Sequence, residues 1–179
     1  MFKLYLEMAR EQHDEEAAKK AIKTNAPNWA TTKIDKLIRD HINKKQTILD
    51  FGAGGAKPAT RLKAEGYNIT AYDFMYTPEH QPSDTDPRDY NALDKKYDVI
   101  YASNVINVQS SETMMLKTIK EIKDSMKPNS VFICNFPTNP RKWDKIQKAD
   151  EMKAFLSKHF KDIKLIGGTN SDPVWSMKK

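Results

Sequence analysis

The feature that most constrains this chain is an apolar segment that runs directly into a cluster of glycines. Residues 47–51 are Thr-Ile-Leu-Asp-Phe and residues 52–55 are Gly-Ala-Gly-Gly, so three of the chain's six glycines lie in one turn. The pattern predicts a buried strand, a tight loop and a helix that begins near Lys57, with Pro58 in its first turn. Backbone N–H groups in such a loop can approach a polar ligand closely. A ligand site is therefore predicted at the carboxyl end of this first strand.

The rest of the chain alternates between strand patterns and helix patterns. Strands are predicted near residues 68–72, 97–102, 130–135, 162–166 and 174–177, and helices over 15–23 and 28–42, from 57 to Gly66, from Ser110 or Ser111 to 126, and through 152–160. Such alternation implies a parallel sheet with right-handed crossovers, and the last two strands are predicted to form a hairpin. Residues 75–96 contain Pro78, Pro82 and Pro87 and are predicted to be mostly loop. We therefore predict one α/β domain whose mostly parallel sheet has six or seven strands and a C-terminal antiparallel hairpin strand.

A second acidic position narrows the ligand. Asp73 ends the second predicted strand, 21 positions after Gly52, where a carboxylate can accept hydrogen bonds from both hydroxyls of a ribose. A dinucleotide loop would have a third glycine at position 57, which is Lys57, and no G-x-x-x-x-G-K-[ST] pattern is present. Asp50, at the turn itself, would repel phosphate and attract an ammonium group. The ligand predicted from these residues is a nucleoside that carries an amino acid.

Four segments resemble successive motifs of the class I S-adenosylmethionine-dependent methyltransferases. They are residues 48–55, 69–73, 97–105 and 126–133, and the resemblance runs from about residue 46 to the C-terminus. Residues 104–108 also resemble small bacterial and phage methyltransferase-like proteins, some of them linked to DNA modification. The resemblance implies a Rossmann-like three-layer sandwich with S-adenosyl-L-methionine as cofactor. It also implies a methyltransferase domain over residues 46–179, with residues 1–45 as a helical segment packed on the core.

Carried over by position, the resemblance implies a set of cofactor-binding residues. The set is Asp50, Gly52, Ala53, Gly54, Asp73, Phe74, Asp89, Tyr90, Asn104 and Val105. In this set Asp50, Gly52 and Gly54 meet the methionine end, Asp73 holds the ribose, Phe74 lies against the adenine and Asp89 with Tyr90 meets the adenine edge. Asn104 falls where the fourth strand of the family faces the methyl donor. Asn25, Trp29 and Tyr76 are further candidates to cover the cofactor, with a core position as the alternative for Trp29.

The candidate catalytic residues are Asn104, Asn135 and Arg141. Asn135 and Arg141 follow the carboxyl end of a predicted strand, where they could orient a carboxylate, a phosphate or a base edge. The alternative for this stretch is a connection stiffened by prolines. Residues 103–106 are Ser-Asn-Val-Ile instead of the [DN]-P-P-[YFW] motif of DNA amino-methyltransferases, which disfavours methylation of exocyclic DNA amines. Cys134 is predicted to be a buried strand residue and not a nucleophile.

Composition bears on partners and location. The formal net charge of +6 permits attraction to nucleic acid, yet only five of the 30 basic residues are arginine, which favours a solvated lysine-rich surface over a dedicated base-reading patch. A nucleic-acid component is nevertheless ranked ahead of a small molecule as methyl acceptor, and a DNA-specific enzyme would need a partner protein for target recognition. The single cysteine suits a reducing, cytoplasmic location. No apolar run approaches the ~20 residues that span a bilayer, and the four histidines share no metal-ligand spacing.

Two other functions stay open from the sequence. The lack of a recognisable base after the fourth strand of the resembled family motivates a protein that binds S-adenosylmethionine without transferring its methyl group. An NAD-dependent oxidoreductase is the third hypothesis, and Lys57 argues against it. No residue of the chain identifies the methyl acceptor.

Overall fold

A single mixed sheet organises the chain. The structure, a computed structural model, describes residues 37–109, 111–137 and 148–179. The strands are β1 Thr47–Phe51, β2 Asn68–Tyr72, β3 Tyr97–Ala102, β4 Met126–Asn135, β5 Lys161–Thr169 and β6 Asp172–Lys178. They lie in the order β2-β1-β3-β4-β6-β5, with β1 to β4 parallel and β6 antiparallel to both of its neighbours. The predicted α/β class, the mostly parallel sheet and the C-terminal hairpin are confirmed, and the strand number in the described residues is six.

The helices lie in the predicted connections, but the helix predicted through residues 152–160 ends at Leu156. They are α1 Lys57–Ala64, α2 Glu112–Ser125 and α3 Ala149–Leu156, with short 3-10 turns at Ala92–Asp94 and Ile106–Val108. Pro58 lies in the first turn of α1, and Gly66 follows its end with a φ of 87°. At the start of α2 the Ser111 hydroxyl accepts a hydrogen bond of 3.2 Å from the backbone N–H of Met114, as expected of an N-cap serine.

Alternate residues of the strands face opposite sides of the sheet, and each side has its own core. Leu49 belongs to the core that α2 and α3 cover, whereas Ile48 belongs to the core that α1 covers together with Ile38 and Ile42. Burial on both faces explains why the parallel strands are nearly continuous apolar runs. The result is the predicted three-layer sandwich.

The connection between β2 and β3 contains the beginning of a further strand. Arg88 forms an isolated parallel bridge with Ala71, whose N–H donates to the Pro87 carbonyl at 2.8 Å and whose carbonyl accepts from the Asp89 N–H at 3.0 Å. Pro87 has no N–H to donate, so a longer ladder is disfavoured there. The connection is otherwise loop, as predicted, but the bridge fixes Asp89 and Tyr90 beside the carboxyl end of β2.

The terminal hairpin is longer than the sequence predicts. Pairing between β5 and β6 continues to Thr169 opposite Asp172, beyond the predicted ends at residues 166 and 174. Glycines at 167 and 168 lower strand propensity, and backbone pairing with β6 overrides that preference here. Gly168 has a φ of 88°, and a Cβ on it would lie 2.2 Å from the carbonyl oxygen of Asp172. This tight turn brings Asp172 to the edge of the sheet where β4 ends.

The start of the chain is described only from residue 37. Leu37 to Arg39 are helical, the last part of the helix predicted over 28–42, and Ile38 is fully buried against the core. Asn25 and Trp29 lie outside the described residues, so the covering role suggested for them stays a prediction. Within the described ranges, no helix is both long enough and apolar enough to cross a membrane.

Candidate cofactor-binding site

The glycine loop is tied to the end of the neighbouring strand β2. The N–H groups of Gly52 and Ala53 both donate to the carbonyl oxygen of Tyr72, at 2.8 and 2.9 Å. Gly52 has a φ of 76° and Gly54 a φ of 52°, in the left-handed region that side chains disfavour. The loop therefore needs glycine for its backbone path, and its position relative to β2 is fixed.

The space beside the three glycines differs from one to the next. A Cβ on Gly52 would lie 2.4 Å from Cγ2 of Val105, so that glycine permits a close contact with the segment after β3. Among the described residues, and apart from each glycine's own chain neighbours, no atom lies within 4 Å of a Cβ built on Gly54 or on Gly55. The loop is packed at its first glycine and open at the other two.

Asp73 joins the end of β2 to this loop. Its carboxylate is 5% exposed, and Oδ2 accepts from the Gly54 N–H at 2.8 Å while Oδ1 accepts from the Met75 N–H at 3.1 Å. Burial raises the pKa of Asp73, and the two backbone hydrogen bonds oppose that rise because they stabilise the ionised carboxylate. Tyr76 completes the unit, since its hydroxyl donates to the Gly54 carbonyl at 3.0 Å.

A cavity of about 270 Å³ opens at the carboxyl end of β2. It is lined by Tyr72, Asp73, Phe74, Tyr76, Tyr90, Asn91, Leu93 and Asp94. Phe74 and Tyr90 are 46% and 45% exposed, so two aromatic rings stand open to solvent near a buried carboxylate. Aromatic faces of this kind stack on planar rings. The volume lies just below the ~300–1,000 Å³ typical of small-molecule pockets, which suits one part of a larger ligand.

Asp89 lies behind the wall of this cavity and not among its lining residues. Its carboxylate is 1% exposed, accepts from the Asn91 N–H at 2.9 Å and forms an ion pair of 2.6 Å with Lys95 Nζ. These bonds fix the turn that carries Tyr90, Asn91 and Asp94. A direct contact of Asp89 with adenine stays a prediction, whereas the structure places Tyr90 on the cavity. Sequence reasoning missed Asn91 and Asp94, and their only signal was proximity to Tyr90.

Asn104 and Asn135, two of the predicted catalytic residues, are brought together. The Asn104 N–H donates to Asn135 Oδ1 at 2.7 Å, and Asn135 Nδ2 donates to Asn104 Oδ1 at 2.8 Å. Asn135 Nδ2 also donates to Asp172 Oδ1 at 3.0 Å. Asn135 is 1% exposed and its amide is fully used inside the protein. The suggested direct contact of Asn135 with a substrate stays a prediction. Arg141 lies outside the described residues.

Asp50 lies near the carboxyl end of β1, between β2 and β3. It is 3% exposed on β1 and pairs in register with Ala71 of β2 and Tyr101 of β3. Cys134 of β4, by contrast, lies in the core, where burial raises the pKa of its thiol. Its predicted role as a core residue is confirmed. Among the described residues, no group of three or more His, Cys, Asp or Glu side chains could hold a metal ion.

The arrangement fits S-adenosylmethionine. Asp73 lines the cavity together with the exposed rings of Phe74 and Tyr90, so an acidic residue and two aromatic rings lie where a nucleoside could bind. The open space beside Gly54 and Gly55 leaves room for a bound group against the loop backbone. Asp50 adds a buried negative charge at the carboxyl end of β1, which suits an ammonium group. A cavity at the carboxyl ends of strands is where open α/β sheets bind ligands.

Comparison with known proteins agrees with this fold. Residues 12–163 match the sequence model of a family described as "Methyltransferase domain", so the chain belongs to the methyltransferase-domain family. The predicted S-adenosylmethionine-dependent methyltransferase family is thereby confirmed, and with it the enzyme class. No curated protein sequence matches the chain significantly.

Solved structures of methyltransferases share the fold. A 1,6-didemethyltoxoflavin-N1-methyltransferase from Burkholderia thailandensis, with bound 1,6-didemethyltoxoflavin and S-adenosylhomocysteine, superposes with a TM-score of 0.66 at 13% identity, covering 99% of this chain and 89% of that chain. A TehB-like SAM-dependent methyltransferase from Corynebacterium glutamicum gives 0.60 at 14% identity, covering 96% and 99%. The N-methyltransferase NodS from Bradyrhizobium japonicum, in complex with S-adenosylhomocysteine, gives 0.61 at 13% identity, covering 90% and 98%. At these identities the likeness shows the fold alone.

Proposed function

We propose that the protein transfers a methyl group from S-adenosylmethionine to a small-molecule acceptor. The observation that carries the proposal is the buried Asp73 carboxylate, which lines an aromatic cavity and is hydrogen-bonded to the open glycine loop. The cofactor, when bound, supplies a methyl group on a positively charged sulfur, and the protein contributes mainly alignment. In the proposed arrangement Asp73 holds the ribose, Phe74 and Tyr90 contact the adenine, and the amino-acid end lies along Gly52–Gly55 towards Asp50.

A small-molecule acceptor is preferred over the nucleic-acid acceptor that the sequence suggested. The Burkholderia structure carries 1,6-didemethyltoxoflavin as its bound acceptor, and NodS is named an N-methyltransferase. The chain's five arginines among 30 basic residues give little support to base reading. A nucleic-acid acceptor with a recognition partner, and the cytoplasmic location, stay predictions.

Cofactor binding is the first experiment. Isothermal titration with S-adenosylhomocysteine and with NAD should show binding of the first alone. The Asp73→Asn variant should bind S-adenosylhomocysteine roughly 10- to 100-fold more weakly, because hydrogen bonds to a charged group are worth ~1.5–3 kcal/mol. Asp98→Asn is the matched control. Asp98 lies near the start of β3, away from the carboxyl ends of the strands, and its carboxylate accepts from the Thr47 N–H at 2.8 Å. Equal affinities in the wild type and Asp73→Asn would refute the ribose assignment, and binding of NAD alone would refute the cofactor.

Transfer is the second experiment. The protein is incubated with methyl-labelled S-adenosylmethionine and separate pools of metabolites, RNA, DNA and protein. Label in the metabolite pool supports the proposal, and label in a nucleic-acid pool returns the acceptor to the class suggested by sequence. Tight cofactor binding with no labelled product in any pool would favour the S-adenosylmethionine-binding protein that does not transfer methyl groups.

A further inference from the structure

The hydrogen-bonded side chains at the ends of β3, β4 and β6 point to a positioning device. We propose that Asp172 and Asn135 orient the Asn104 side chain so that its NH₂ group donates to the carboxylate of the cofactor's amino-acid end. This inference rests on the proposed function, because it names how that site holds one part of S-adenosylmethionine. Asp172 and Asn135 are then positioning residues that act through Asn104.

The orientation of each amide in this group follows from its partners. The backbone N–H of Asn104 can only donate, so Asn135 must turn Oδ1 towards it. Asn135 Nδ2 then faces the other way, and its two hydrogens go to Asn104 Oδ1 and to Asp172 Oδ1. An ionised Asp172 can only accept, which selects the same orientation. The Asn104 amide is thus fixed with its oxygen towards Asn135 and its NH₂ pointing away.

The position of Asn104 explains what that NH₂ group can meet. The next residue, Val105, packs on Gly52, with 2.4 Å between Val105 Cγ2 and a Cβ built on the glycine. Asn104 is therefore one residue from the wall of the cofactor loop. It has a φ of 56°, a left-handed conformation that asparagine tolerates better than most residues. No group in the described ranges accepts a hydrogen bond from Asn104 Nδ2, so this donor is left for a ligand.

Charge assigns the two ends of the amino-acid group. Asp50, buried on β1, attracts the ammonium and repels the carboxylate. A neutral amide with two N–H donors suits the carboxylate instead. Asn104 lies beyond the end of β3, whose residue Tyr101 pairs with Asp50. The amino-acid end can therefore lie between Asp50 and Asn104.

The test compares the binding of two probes, S-adenosylhomocysteine and 5′-methylthioadenosine. The second probe keeps the nucleoside but lacks the amino-acid end. Asn104→Asp keeps an oxygen for Asn135 Nδ2 but replaces the outward NH₂ with a carboxylate oxygen. We expect it to weaken S-adenosylhomocysteine binding about 10- to 100-fold, the effect of losing one hydrogen bond to a charged group, and to leave methylthioadenosine binding within twofold. Asn104→Gly, which permits the same backbone conformation, gives the same pattern should Asn104→Asp fail to fold.

The positioning residues are tested by loss and rescue. Asp172→Ala should weaken S-adenosylhomocysteine binding about fivefold or more, because Asn135 loses the partner that fixes its orientation. Asp172→Asn, which still offers an oxygen to Asn135 Nδ2, should restore most of that affinity. Asp162→Ala is the matched control on the same hairpin, where Asp162 pairs with Lys178 at 3.4 Å.

Each outcome decides the inference. Loss for S-adenosylhomocysteine alone supports it. An equal loss of affinity for both probes would mean that the hydrogen-bonded side chains only support the fold, and this result overturns the inference. Unchanged or tighter binding of S-adenosylhomocysteine to Asn104→Asp would mean that the NH₂ group does not face a carboxylate, and this result overturns it as well. Failure of the wild-type protein to bind either probe would instead overturn the proposed function itself.

Discussion

Alanine substitutions at the three glycines of the loop after β1 test how much each glycine contributes to stability and to cofactor binding. Gly52→Ala, Gly54→Ala and Gly55→Ala add the same methyl group to three different surroundings. At Gly52 the new Cβ meets Val105 Cγ2 at 2.4 Å and the φ is 76°. At Gly54 the φ is 52°, but no described residue other than its chain neighbours has an atom within 4 Å of the new Cβ. Gly55 has equally open surroundings among the described residues, and its φ is not in the left-handed region.

The expected stability losses follow from these differences. A left-handed φ costs a residue with a Cβ about 1–2 kcal/mol, and forcing a methyl group into a packed contact costs ~1–3 kcal/mol more. Gly52→Ala should therefore lower the free energy of unfolding by about 2–5 kcal/mol and Gly54→Ala by about 1–2 kcal/mol. Gly55→Ala should change it by less than ~0.5 kcal/mol, as an unconstrained surface substitution does. Urea unfolding of the three variants measures this series directly.

Val105 provides the internal check. Val105→Ala removes both Cγ atoms and leaves Cβ, 3.5 Å from the built methyl group, as the nearest of its atoms. In a double-mutant cycle, Gly52→Ala should cost ~1–3 kcal/mol less in the Val105→Ala background than in the wild type. Equal costs in the two backgrounds would refute the steric argument and leave backbone strain as the whole effect. The affinity for S-adenosylhomocysteine should not follow the same order as the free energy of unfolding. If the open space holds the cofactor, Gly54→Ala should lower the binding free energy by more than it lowers the free energy of unfolding.

Three further predictions concern single side chains. The hydrogen bonds from Thr47 and Lys127 lower the pKa of Asp98 to about 2. The ionised carboxylate should stabilise the fold by roughly 1 kcal/mol, a small amount because Asp98 is one-third exposed; this stabilisation is present above pH ~4 and is lost as the pH falls towards 2. The difference in unfolding free energy between wild type and Asp98→Asn should therefore shrink over that pH range. The Cys134 thiol should react with a disulfide reagent at pH 8 only after denaturation, because it is buried and its pKa is raised; rapid reaction of the native protein would contradict its place in the core. Tyr76→Phe should lower the melting temperature by about 2–4 °C, since it removes one hydrogen bond of ~1 kcal/mol to the Gly54 carbonyl; an unchanged melting temperature would show that this bond does not hold the loop.

The cofactor half of the site could be predicted because its determinants are local. β1, β2 and β3 have the bounds that the sequence predicts, and the loop after β1 is marked by glycines that its backbone requires. Asp73 was placed by its distance along the chain from Gly52 and lies hydrogen-bonded to the same loop. The strand β1, the glycine loop and Asp73 lie within one strand-helix-strand unit of the chain, where local propensity and spacing predict structure directly.

The lining of the cavity was harder to predict, because part of it comes from an irregular segment that makes only one strand-like bridge. Asp89 follows the bridge at Arg88, which the sequence did not predict. Lys95 forms an ion pair with Asp89, and the adjoining turn places Asn91 and Asp94 on the cavity. An ion pair between residues six apart in an irregular segment leaves no periodic signal. Substituting Asp89 would therefore disturb the turn as well as any contact with adenine, so loss of binding in that variant would not by itself identify a ligand.

The hydrogen-bonded group of Asn104, Asn135 and Asp172 is assembled from segments that are far apart in the sequence. Asn104 follows β3, Asn135 ends β4 and Asp172 begins β6. Their hydrogen bonds join positions that are 31 and 37 residues apart. No pattern along the chain predicts that Asp172 approaches Asn135, since the approach depends on the antiparallel insertion of β6 beside β4 and on a hairpin longer than strand propensity suggests. Once the approach exists, the backbone N–H of Asn104 and the carboxylate of Asp172 leave one orientation for the amide between them. Asn135, a catalytic candidate from the sequence, therefore also links the C-terminal hairpin to the residue that follows β3 by two hydrogen-bond patterns that only the folded sheet brings together.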